Sequence, residues 1–184
     1  MGCLCSAESH PLPTWEDVDA MSHAPNLSRT DITNVRSIWK YVCGKNLGME
    51  MGFQIFMNLF EKYPEALGFF SNLEDSSASD HDISLEEKIP IEIHVNHVMR
   101  SFVYFIDNLD NRDNFLSQLK QLQMFHQQLT GPNKAHFRKF MDLLDSALLV
   151  KVGDKVYSEH KRSSFYRFLQ VLYFYITRCM TLES

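Results

Sequence analysis

Residues 52–70 read G-F-Q-I-F-M-N-L-F-E-K-Y-P-E-A-L-G-F-F. With Met51 just before them, Ile55, Phe56, Leu59 and Phe60 recur at the spacing of one helical face. Pro64 disfavours the α conformation for Tyr63 and so ends this helix. A short helical piece up to Phe69-Phe70 follows. Upstream, Leu27-Ser28-Arg29-Thr30-Asp31 reads as a helix entry, with Ser28 as cap and Asp31 in the place of a capping-box Glu. Ile32, Val35, Ile38, Trp39 and Val42 then form one apolar stripe. Downstream, residues 71–84 are polar and turn-rich and predict one substantial internal loop.

A long helix is expected from about Leu85 to Leu109, with Pro90 confining its regular part to the stretch after Ile91. Its apolar face is Val98, Phe102, Phe105, Ile106 and Leu109. Phe115, Leu119, Leu122, Phe125 and His126 mark the next helix, which Thr130-Gly131-Pro132 stops. Phe137, Phe140, Met141, Leu144 and Leu148 mark another, and Phe165, Phe168, Leu169, Leu172, Tyr173 and Ile176 the last. No useful period-2 alternation and no fixed repeat interrupts this pattern, so the fold class is all-α.

The chain has 184 residues, enough for one domain plus a tail. Lys and Arg number 18 against 23 Asp and Glu, a net charge of −5 that argues against a nucleic-acid surface. Cys3 and Cys5 lie at the very start, whereas Cys43 and Cys179 stand alone among apolar residues, which is no disulfide framework. The most apolar run, Phe168 to Ile176, is interrupted by Gln170 and is far shorter than the ~20 residues a bilayer span needs. A cytosolic chain with reduced thiols is expected.

The chain opens M-G-C-L-C-S. Gly2 and Ser6 satisfy the N-myristoylation pattern, and Cys3 and Cys5 are candidate palmitoylation sites. A second lipid matters because one myristoyl chain gives only marginal binding. No Lys or Arg falls between Ser6 and Leu27, whereas Glu8, Glu16, Asp17 and Asp19 would be repelled by anionic lipid. Residues 1–26, with Pro11, Pro13 and Pro25, are therefore expected to be a flexible acylated tail, and residues 27–184 the folded domain.

Two histidines stand on apolar faces, His94 one turn before Val98 and His126 after Phe125. An imidazole there must either be satisfied by a hydrogen bond or ligate something. Taken together, the segments from about Leu27 to Met180 resemble the globin family. Trp39 matches the tryptophan of the first globin helix, Gly52 the small residue where two helices cross closely, Pro64 the helix-opening proline, and Phe70 the phenylalanine that packs on the haem. In H-V-N-H-V-M-R-S-F, His94 falls at the distal histidine and Val98 at the apolar residue one turn later. In L-K-Q-L-Q-M-F-H, followed by Phe137 eleven residues on, His126 falls at the proximal ligand. The 32-residue separation of the two histidines and the Val98-Met99 pair are similar to cytoglobin-like and neuroglobin-like members.

The resemblance implies a three-over-three helical globin fold binding haem b, with His126 as proximal iron ligand and His94 either distal or as the sixth ligand. Phe56, Phe70, Val98, Phe102, Leu122, Phe137 and Phe140 supply an aromatic and aliphatic slot for the macrocycle. Phe56 has no hydroxyl to offer a bound gas. His97 stands where many globins place a Lys or Arg for a haem propionate. The implied partners are dioxygen or another diatomic gas, a membrane reached through the lipid anchor, and a redox partner. The implied place is the cytoplasmic face of a membrane, with a soluble pool. Redox signalling, electron transfer or gas sensing suits an anchored globin. Reversible dioxygen storage at a five-coordinate haem and a haem-less helical adaptor are the alternatives. A zinc site from His94, His97 and His126 is a further option that the aromatic slot disfavours. No calcium-loop, Walker, G-x-S-x-G or H-E-x-x-H motif is present.

Overall fold

The computed structural model describes residues 12–71, 85–127, 129, 131–178 and 180. Gly2, Cys3, Cys5 and Cys179 lie outside these, as does nearly all of the expected loop over 71–84. The described residues form helices only: α1 (Trp15–Ala20), α2 (Arg29–Gly44), α3 (Gly48–Lys62), a 3₁₀ turn (Pro64–Leu67), α4 (Gly68–Ser71), α5 (Leu85–Asp107), α6 (Arg112–Gln127), α7 (Lys134–Val152) and α8 (Glu159–Thr177). None is long and apolar enough to cross a membrane.

The predicted stripes are the ones that face inward. Val35, Ile38, Trp39 and Val42 of α2 are buried, as are Met51, Ile55, Phe56, Leu59 and Phe60 of α3. Ser28 caps α2 reciprocally with Asp31, satisfying two of the backbone donors that a helix start leaves unpaired. Packing joins α2 to α8, α3 to α5 and α7, and α6 to α8. At the α3–α5 crossing, a Cβ on Gly52 would lie 2.6 Å from Val95 Cγ1 and 2.8 Å from Met99 Cε. Only glycine lets the two helices approach so closely, and this approach places His94, the neighbour of Val95, against Phe56.

Two expectations need correction. Residues 12–26 do not form an extended tether: Thr14 and Asp17 build a capping box, and α1 runs from Trp15 to Ala20 with Trp15 and Val18 buried. A helix of six residues is too short to show a periodic stripe, which is why only its cap was there to be read. Helix α5 passes through Pro90, beginning at Leu85. Cys43 is exposed near the end of α2.

Candidate functional site

A cavity of about 360 Å³ opens between α5 and α6 and is floored by α3, α7 and α8. All ten residues singled out above for the pocket line it: His94, His97 and Val98 with Phe102 on α5, Leu122 and His126 on α6, Phe137 and Phe140 on α7, and Phe56 and Phe70 from the α3–α4 region. A flat apolar macrocycle suits walls built from phenylalanine.

Helix α6 presents His126 with its ring already oriented. Its Nδ1 donates to the Leu122 carbonyl one turn earlier, at 2.9 Å. Because a carbonyl only accepts, the proton sits on Nδ1 and Nε2 keeps its lone pair. The Phe137 ring meets the imidazole edge-on at 5.2 Å, and Phe125 does the same at 5.4 Å. Burial pushes the His126 pKa below the usual imidazole range, with the Leu122 bond working weakly the other way. A neutral imidazole with one nitrogen fixed by a backbone acceptor is the form in which histidine ligates a metal.

Helix α5 holds His94 differently. Its ring is wedged edge-on between Phe56 at 5.2 Å and Phe70 at 5.0 Å. Burial lowers its pKa to about 4, helped by repulsion from His126 and His97. Both facing histidines are thus neutral at pH 7. His97 is exposed at the cavity rim. Among the described residues no three His, Cys, Asp or Glu side chains are arranged to hold a metal ion, so His94, His97 and His126 form no zinc cluster.

A further histidine of the cavity escaped the sequence reading. His136, on the first turn of α7, is 7% exposed and lines the pocket beside Phe69. Its Nδ1 accepts from the Asn133 backbone N–H at 3.2 Å, and its Nε2 donates to Glu65 Oε1 at 3.4 Å. Both ring nitrogens are engaged, so this histidine ties the 3₁₀ turn to α7 and has no nitrogen left for a ligand. The N-x-x-H spacing from Asn133 was its one sequence signal. Phe125, counted above with the apolar stripe of α6, is 53% exposed at the mouth of the cavity.

Residues 54–176, more than half of the chain, match the family model described as Globin. No curated protein matches the chain.

Proposed function

The chain belongs to the globin family, whose members typically bind haem and diatomic gases, and on that premise we propose a lipid-anchored haem b protein for redox signalling or gas sensing. The observation that carries this reading is the His126 ring, locked by the Leu122 carbonyl so that its unprotonated Nε2 belongs to the wall of an apolar cavity. His126 is the proximal ligand of the proposal. Phe56, Phe70, Val98, Phe102, Leu122, Phe137 and Phe140 clasp the macrocycle, and His97 at the rim reaches a propionate. Haem held there supplies an iron centre that takes a diatomic gas or exchanges an electron.

His94 is placed on the opposite wall, and its neutrality suits either role open to it. As sixth ligand it would make external gases compete with an internal imidazole, lowering their apparent affinity by the fraction of open site. As a distal donor it would offer one hydrogen bond. We favour the sixth-ligand role because, among the described residues, His94 is held by ring contacts with Phe56 and Phe70, and Phe56 beside it has no polar group to share. This matches the similarity in spacing to cytoglobin-like and neuroglobin-like members. Electron exchange and sensing then suit the site better than bulk oxygen storage.

Anchoring rests on Gly2 as myristoylation site and Cys3 and Cys5 as palmitoylation sites, on the cytoplasmic side of a membrane and with a soluble pool of unacylated chain. Haem titration of the purified chain and of His126→Ala tests the centre of the proposal. One haem per chain for the native protein and none stably held by the variant is the expected result; equal retention in both would refute the ligand assignment. For the anchor, Gly2→Ala should move the protein from the membrane fraction of cells to the soluble one.

A further inference from the structure

The N-terminal segment is fastened to the body by side-chain bonds along its whole length from Pro13 to Met21. Gln170, wholly buried in the most apolar stretch of α8, donates its amide to the Pro13 carbonyl. Trp15 Nε1 donates to Asp142 Oδ1 of α7 at 2.9 Å, and the indole packs against Tyr166 and Tyr173 of α8 with centroids 5.1 and 5.0 Å away. Asp19 takes Lys134 at 3.0 Å and also Arg138, with the Tyr173 hydroxyl donating to the same carboxylate. Arg138 further reaches Glu16 at 2.9 Å, and Arg178 closes the far end on the Met21 carbonyl at 2.9 Å. A six-residue helix does not persist alone in water, so α1 exists through these contacts.

We infer that residues 13–21 are a clasp that shortens the lipid tether and makes the α7–α8 edge of the body its point of attachment, an inference that rests on the acylated-tail reading above. Had residues 6–26 been a free linker, they could span about 75 Å when extended; with the clasp closed, only residues 6–12 separate Cys5 from the body, a reach of at most about 25 Å. The body is then confined beside the bilayer in a restricted set of orientations. The clasp also offsets the tail's own charge. Asp19 and Glu16, which would be repelled by an anionic leaflet, face Arg138 and Lys134. Gln170, a polar residue in an apolar helix, finds its purpose in the Pro13 carbonyl.

The test uses the full chain with a dye on exposed Cys43, the other cysteines replaced by serine, on phosphatidylcholine vesicles. The labelled chain carries an N-terminal hexahistidine on nickel-chelating lipid, so that attachment does not depend on acylation, and the acylation reading is tested separately in cells by comparing the native chain, with Cys3 and Cys5 intact, against Gly2→Ala. Residual fluorescence anisotropy reads how freely the bound body rotates. The native chain should keep at least twice the residual anisotropy of Trp15→Ser and Asp19→Arg, both substitutions lying in the clasp and outside the sequence of α2–α8. Adding Arg138→Asp to Asp19→Arg should restore part of the loss. Equal anisotropy for native and variant chains on the nickel vesicles would overturn the clasp. If Gly2→Ala stays in the membrane fraction of cells while the hexahistidine chain shows the difference, the clasp stands and the acylation reading falls.

Discussion

The two walls of the cavity each present a histidine, and they hold it by opposite means. On α6, a main-chain acceptor one turn away fixes the ring of His126 and decides which nitrogen carries the proton. On α5, His94 is steadied by the edges of Phe56 and Phe70 and is driven neutral by burial, to a pKa of about 4. A directional bond gives the first ring one orientation. Ring-edge packing, worth about 1 kcal/mol per contact, holds the second without fixing which nitrogen carries the proton. The difference teaches that one pocket can hold one imidazole by a directional bond and another by packing, without differing in residue type.

The largest effect tests the fixed wall. His126→Ala should weaken haem retention by more than about 100-fold, since even outer-shell partners of a metal ligand are worth 10- to 100-fold, whereas His94→Leu should leave haem bound. Equilibrium dialysis against apomyoglobin would measure both.

The next effect belongs to the other wall. His94 in the haem-free chain has a folded pKa below its unfolded value of about 6.5. The unfolded state therefore binds more protons in the window between about 6.5 and 4, and stability must fall as pH falls through it. The loss should reach roughly 3 kcal/mol by pH 4, with His126 adding in the same direction. Urea titrations of the haem-free chain across that window should show the decline, and His94→Leu should flatten most of it. A profile unchanged by the substitution would mean that His94 is not the buried titrating group.

Gly52→Ala disturbs α5 without touching α6. Its new methyl would collide with Val95 Cγ1, a stiff β-branched side chain, and with the flexible end of Met99. A loss of about 1–3 kcal/mol is expected from this overpacking, together with altered gas-binding kinetics, because His94 adjoins Val95. The smallest effect is Phe56→Tyr, which adds a donor to the His94 side only. In a His94→Leu background it should slow oxygen release by about tenfold, the worth of one hydrogen bond; flash photolysis would read it.

The sequence carried most of the body's architecture because its helices are long enough to show their period. Val35, Ile38, Trp39 and Val42 on α2, and the six apolar positions on α8, needed only spacing to be placed inside. The pocket was legible for a different reason, since His94, Phe102, His126 and Phe137 acquire a common meaning only through the intervals between them. What stayed hidden was of two kinds. Helix α1 is too short for a stripe, and its partners lie more than 110 residues away, as Trp15 with Asp142 and Asp19 with Lys134 show. The acceptor of His126 and the role of His136 depend on main-chain atoms, which every residue shares and no side-chain pattern distinguishes.

The absorption spectrum of the haem-loaded chain, ferric and dithionite-reduced, with and without carbon monoxide, tests the central claim most directly. The account predicts a low-spin reduced spectrum with sharp paired visible bands that carbon monoxide shifts slowly, because His94 must first leave, and a fast shift in His94→Leu. A broad five-coordinate spectrum that carbon monoxide shifts at once in the native chain would contradict the sixth-ligand role of His94. A chain that takes up no stoichiometric haem would contradict the haem site itself.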